Sequence, residues 1–189
     1  MKANNIAGYV ISLTQNNPEE NLTNLKLQKI LYYLQGFHFA LYKEQLFEDE
    51  IEAWKYGPVV SEVYHTYKGY GNNSIVVPDA NLNFDFLNAI QKSFINKVYS
   101  YYRQFSAIKL MELTHSEEPW LATFGKEQVI PNGLMAAFFE KSELVNLFGN
   151  LSDIKKERKA AAQFLLVDYL YDKNLTELTK TDTDDIHEY

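Results

Sequence analysis

The chain has 189 residues, 46% of them hydrophobic, which suits one compact domain with a substantial core and argues against disorder throughout. Its formal charge is −7, and nonspecific nucleic-acid binding, which needs clustered Lys and Arg against phosphates, is a poor fit as the main task. The absence of cysteine excludes disulfides, thiolate metal sites and a Cys nucleophile, so packing alone must hold the fold.

The first predicted element is an amphipathic helix from about Asn4 to Gln15, ended by Pro18, which disfavours helical geometry in the residue ahead of it. Gly8, Tyr9 and Ser12 interrupt its apolar stretch and no small-residue cleavage site follows, so no secretion signal is expected. Thr23 reads as the N-cap of a second helix reaching Tyr42, with apolar residues at Leu27, Ile30, Leu31, Leu34, Phe37 and Leu41 in one stripe. Gly36 inside it costs about 1 kcal/mol relative to Ala and predicts a close crossing of another backbone. Ile51 to Trp54 alternates like a very short strand. Gly57 permits a positive backbone angle and Pro58 suits the first position of a helix, so a third helix is predicted from Pro58 to about Gly69, burying Val59, Val63, Tyr64 and Tyr67.

A short extended piece near 75–77 could pair with 51–54 as a two-stranded ribbon. Asp85 to Arg103 predicts a long amphipathic helix carrying Leu87, Ile90, Phe94, Val98 and Tyr101. Ser106 reads as the N-cap of the next helix, through Leu110 and Leu113. Ser116 reads as the cap of another, with Glu117 and Glu118 in its first turn, where acids suit the helix dipole. Ile130 to Gly133 breaks the chain, LMAAFF and LVNLF predict one or two more helices, and a last one opens at Ser152 or Asp153 and ends near Lys173. The expected fold is therefore mainly α: a compact single-domain bundle of about seven or eight helices over 1–173, with at most that ribbon.

The segment 174–189 holds five acids and one lysine with little apolar content, and is expected to be an acidic, disordered tail. Its TDTDD lacks the turn glycine and closing glutamate of a calcium loop, so no metal site is assigned. No apolar run approaches the roughly 18 residues a membrane span needs, and the cytoplasm is the expected location. The Lys155 to Lys159 run, KKERK, is placed against the dipole in the first turns of the last helix, a hint of an acidic partner or of ion pairs within the helix.

No catalytic spacing is present: GxSxG, HExxH, a strand-led GxGxxG and a phosphate loop are all missing. No catalytic residue or cofactor is assigned. His38 and His115 could act as acid and base, but a single histidine in an apolar helix is more often a hydrogen-bonded structural group. The 14 Tyr and 12 Phe favour binding instead, because aromatics dominate interfaces as well as cores.

TNLKLQKILYYLQGFHFALY, then LFEDEIEAWKYGPVVSEVYHTYKGYG, then LTHSEEPW resembles the Panacea-domain family of SocA-like and phage-associated antitoxins in order, spacing and wording. The likeness covers about Leu22 to Gly71 and Leu113 to Trp120, with departures at Leu34, Phe37 and Ser61. The resemblance implies an antitoxin that binds and neutralises a cognate protein toxin, in the SocA-like branch by delivering it to a cytoplasmic protease. It marks Lys26, Gln28, Lys29, Tyr32, Tyr33, Gln35 and His38 on the second helix, Glu52, Trp54, Lys55, Tyr56, Gly57 and Pro58 at the pivot, and His115, Glu117, Pro119 and Trp120 beyond.

Of these, Lys26, Lys29 and Tyr33 lie off the apolar stripe and are expected to face outward to a partner together with Trp54, Lys55 and Tyr56. Gln28, Tyr32, Gln35, His38, Glu52, Gly57, Pro58, His115, Glu117, Pro119 and Trp120 are expected to shape the fold, with Glu52 joined to Gln35 or His115 in a polar network. The alternatives from other classes are a nucleic-acid-binding autoregulator of its own operon, resting on KKERK, and an enzyme using His38 or His115 with a carboxylate.

Overall fold

A computed structural model describes residues 1–14, 21–76, 83–126 and 128–149. The predicted last helix to Lys173, the Lys155 to Lys159 run and the tail 174–189 lie outside the described residues, as does the expected end of the first helix at Gln15.

Met1–Phe148 form one compact unit. Its described residues are mainly helical: α1 (Ala3–Ser12), α2 (Asn24–Tyr42), α3 (Ser61–Tyr67), α4 (Ala89–Tyr102), α5 (Ala107–His115), α6 (Glu118–Thr123), α7 (Asn132–Phe139) and α8 (Leu144–Phe148), with strands β1 (Glu52–Trp54) and β2 (Gly57–Val59) between α2 and α3. The expected caps hold. The Thr23 side chain accepts from the Lys26 N–H and Ser106 from Lys109, satisfying donors that have no partner within their helices. Asn88 and Gln91 form a capping box, so α4 begins at Ala89 rather than Asp85.

Helix α2 is the axis of the unit, packed by α7, α5, β2, α4, α1, α3 and α8. Every residue from Lys26 to His38 is buried. A helix enclosed on all sides needs no solvent stripe, so its polar residues must find partners inside. Gly36 makes room for the Phe139 ring: a Cβ there would stand 2.1 Å from Phe139 Cε2. The predicted close approach is real, but the neighbour is a side chain of α7 and not another backbone. Around it, Tyr33 stacks on Tyr102 at 3.9 Å, and Phe139 meets Tyr32 and Phe37 edge-on at 5.3 and 4.8 Å.

The ribbon exists with a different partner. β1 pairs antiparallel with β2 in the register Glu52 to Val59, Ala53 to Pro58 and Trp54 to Gly57, while the Ile75 N–H donates to Leu22 O. Gly57, at φ 94°, closes the tight turn as a residue without a Cβ can. Pro58 therefore sits in β2, and α3 starts only at Ser61. The other edge of β1 is covered by 128–130, with Ala53 N–H donating to Gln128 O and Ile130 N–H to Ile51 O. Both edges of β1 are satisfied, which leaves little of this short ribbon open for strand addition.

Candidate functional site

The family-motif residues divide into an internal network and an exposed tip. Gln28 Oε1 accepts from the Val60 N–H at 2.8 Å, its Nε2 donates to Asn24 Oδ1 at 3.0 Å, and Asn24 Nδ2 donates to Tyr64 O at 3.1 Å. This chain of bonds ties α2 to the hairpin and to α3. Gln35 Oε1 accepts from the N–H groups of Leu46 and Phe47 at 2.9 and 3.2 Å, and its Nε2 donates to Phe47 O. His38 Nδ1 donates to Glu44 O at 2.8 Å. Together Gln35 and His38 supply partners for a loop that leaves the helix without secondary structure of its own.

Three expected outward residues turn inward. Lys26 is 6% exposed and donates to Arg103 O at 2.6 Å. Lys29 is fully buried and donates to Pro58 O at 2.7 Å. Tyr33 is buried, donating to Glu117 Oε1 at 2.9 Å. Periodicity placed them off the apolar stripe correctly, but α4, α5 and the hairpin cover that side too.

Two buried charges follow from this packing. Burial lowers the Lys29 ammonium to about 7, and burial raises the Glu117 carboxyl to about 7 against the pull of hydrogen bonding from Tyr33 and Tyr32. The Tyr32 hydroxyl is close enough to act on that titration but does not form a well-shaped hydrogen bond, and Glu117 Oε2 is left without a partner. Both tyrosine hydroxyls are pushed up, first by burial and then by Glu117. The N-cap of α6 is Glu117, not Ser116, and its side chain turns to the tyrosines in place of capping the helix. Ser116 ends α5, its hydroxyl donating to Leu113 O.

His115 stacks on Trp120 with centroids 4.1 Å apart, its imidazole held low by burial first and then by Lys29. Trp120 is nearly buried and donates from Nε1 to Trp54 O at 2.9 Å, with Pro119 buried beside it. The expected Glu52 network takes other members: Oε2 accepts from Trp54 Nε1 at 2.6 Å and Gln128 Nε2 at 2.8 Å, not from Gln35 or His115. His38 lies against Tyr42 and Phe94 and His115 against Trp120, so the two histidines occupy separate packed settings.

What remains outward is the hairpin tip. Tyr56 is 57% exposed, Lys55 beside it is exposed with Nζ 5.5 Å from the Tyr56 ring centroid, and Trp54 is half-buried, edge-on to Tyr64 at 4.9 Å. The tip borders a cleft of about 730 Å³ that extends to α3 and α5. Tyr64, Lys68, Ile108 and Met111 line it, none of which the motif reading assigned to a contact surface. Ile108 carried a signal in the sequence, an apolar residue beside the buried stripe of α5, and it is 63% exposed. A second cleft of about 570 Å³ has Glu117 and Tyr33 among walls that include Phe105, Leu113 and Phe138.

No three His, Asp or Glu side chains converge as metal ligands among the described residues, and none of their helices is long and apolar enough to cross a membrane. A family model described as antitoxin SocA-like, Panacea domain, matches residues 27–121. No curated protein and no solved structure matches the chain.

Proposed function

The chain belongs to the SocA-like antitoxin family of the Panacea domain, and from that premise we propose that it neutralises a cognate protein toxin by direct contact through the face formed by Trp54, Lys55 and Tyr56. The single observation that carries this assignment is the exposed Lys55 and Tyr56 tip, set on a hairpin whose base is fastened to α2 through Gln28 and Lys29. An aromatic and a cation at the end of a rigid support match the composition of binding hot spots, which are rich in Tyr and Trp and gain from little ordering on association. Lys26, Lys29 and Tyr33 act in this scheme as supports of the contact face. Direct binding is the step common to steric neutralisation and to delivery of the toxin to a protease, and it is the step the hairpin is suited to.

Co-expression with the product of an adjacent toxic gene tests the proposal. Growth should be rescued and the two proteins should co-purify, and a Lys55→Ala, Tyr56→Ala double variant should stay folded by circular dichroism yet lose both. Full rescue by the double variant would remove the hairpin tip from the contact, and failure of the parent chain to rescue or co-purify would remove the pairing.

A further inference from the structure

The cleft beside the hairpin has a chemistry more specific than exposure alone. Its lining contains two lysines, Lys55 and Lys68, and no carboxylate. Neither lysine has an ion pair among the described residues; the acid on the adjoining face of α5, Glu112, is taken by Lys109 at 3.5 Å. Glu52, on the hairpin itself, is bound to Trp54 and Gln128. The chain as a whole carries −7, so a local positive cleft on an acidic protein favours the approach of an acidic group there.

The polar groups deep in the cleft are already satisfied. Asn24 and Gln28 bond to each other, to the Val60 N–H and to Tyr64 O, so they shape the floor and leave selection to the rim. The apolar share of the rim is large and outward: Tyr56 and Ile108 are 57% and 63% exposed, and Met111 in the same lining is half-buried. Trp54 and Tyr64 brace one wall by their edge contact.

Resting on the toxin-binding assignment above, we propose that this cleft recognises an acidic side chain on the toxin set beside an apolar one, the acid between Lys55 and Lys68 and the apolar group against Ile108, Met111 and Tyr56. The acid supplies orientation and encounter rate, because rim charges act chiefly on association, whereas the apolar anchor excludes water and sets the lifetime of the complex. A nucleic acid would find the two lysines and could stack on Tyr56, but it has no use for the exposed Ile108. A protein ligand uses both.

The test uses the full chain and the toxin from its adjacent gene, with association and dissociation rates measured at low and moderate salt. The double reversal Lys55→Glu, Lys68→Glu should slow association by about tenfold at low salt and abolish or invert its salt dependence. Ile108→Ala should instead speed dissociation, and Lys92→Glu on α4 should change neither. A photoreactive residue in place of Ile108 should crosslink to a toxin segment containing Asp or Glu within a few residues.

Toxin that binds with unaltered rates to the double reversal, or a crosslink to a segment without acids, overturns this cleft assignment while the antitoxin pairing stands. Absence of any binding by the parent chain overturns both. Capture of a labelled single-stranded oligonucleotide, or self-association lost on double reversal, gives the cleft a different occupant and likewise overturns the assignment.

Discussion

The middle of α2 and the tip of the hairpin carry the same kinds of residue, lysine, tyrosine and polar groups among apolar ones, and the fold treats them in opposite ways. Lys26, Lys29, Tyr33 and Gln35 are buried and spend their hydrogen bonds on backbone carbonyls, loop N–H groups and one carboxylate. The Lys55 and Tyr56 side chains are exposed and, among the described residues, make no contact beyond their own cation-π pair. The difference teaches that in this protein a polar residue on the family motif serves as support when it points along the enclosed helix and is left open to solvent only where the chain reverses at the surface.

The comparison breaks most visibly at Gln35. Gln35→Leu keeps the volume but leaves the Leu46 and Phe47 N–H groups and the Phe47 carbonyl without partners, and should cost about 3 kcal/mol or more, since each buried unpaired group costs about 1 to 3. Chemical denaturation should register it as a lower midpoint with an unchanged slope. An equally stable Gln35→Leu protein would mean the loop from Glu44 to Phe47 is not held by the helix.

Gly36→Ala should cost about 1 to 3 kcal/mol through overpacking against Phe139, although the same change in an exposed helix stabilises by about 1 kcal/mol. The sign alone decides, because the Phe139 ring is locked among Tyr32, Tyr33 and Phe37. Restoring stability by adding Phe139→Leu would identify the ring as the obstacle.

The third effect depends on pH. The folded pKa of Lys29, about 7, lies below the ordinary unfolded value of about 10.4, so the unfolded chain binds the extra proton between them. Stability should rise with pH from about 7, with a slope of at most about 1.4 kcal/mol per unit for this one group. Glu117, raised to about 7, works the other way: its folded form holds a proton the unfolded form has lost, so its contribution falls as pH rises from about 4.3 through 7. Measured stability should therefore carry a shallow minimum near neutrality, and Lys29→Met should flatten the limb from 7 to 9 while Glu117→Gln flattens the limb below 7. A rising limb unchanged by Lys29→Met would assign it to another group.

The smallest stability effect belongs to the tip. Lys55→Ala and Tyr56→Ala should each alter unfolding free energy by no more than about 0.5 kcal/mol, yet reduce toxin binding. A large loss of stability on either change would move the tip into the supporting class and end the contrast.

Much of the scaffold is readable without coordinates because its causes are local. Thr23 and Ser106 cap their helices through bonds spanning three residues, Gly57 supplies its positive φ at the turn, and Pro131 stands at the N-cap of α7 where the chain was expected to break. Ser116 misled because two hydroxyl-competent or acidic residues adjoin and the local pattern does not say which will turn inward. The ribbon partner was misplaced for a similar reason: Gly57 to Val59 can begin a helix or close a hairpin, and the hairpin wins because α2 supplies partners from Gln28 and Lys29 to Val60 and Pro58.

The candidate contact face was less legible. The motif gives Trp54, Lys55 and Tyr56, but the cleft beside them needs Tyr64 from α3, Lys68 from the 3-10 turn that follows it and Ile108 from α5. No pattern within one segment can join them, since each is an ordinary surface or half-buried residue in its own helix.

By itself the sequence determined the mainly helical class, the principal caps and breaks, and the family, all properties of residue order and short-range bonding. Tertiary structure alone decided which motif lysines and tyrosines are support and which are surface. A helical stripe reports where one buried face must be, but it holds no record of a second or third neighbour, and α2 has neighbours on every side.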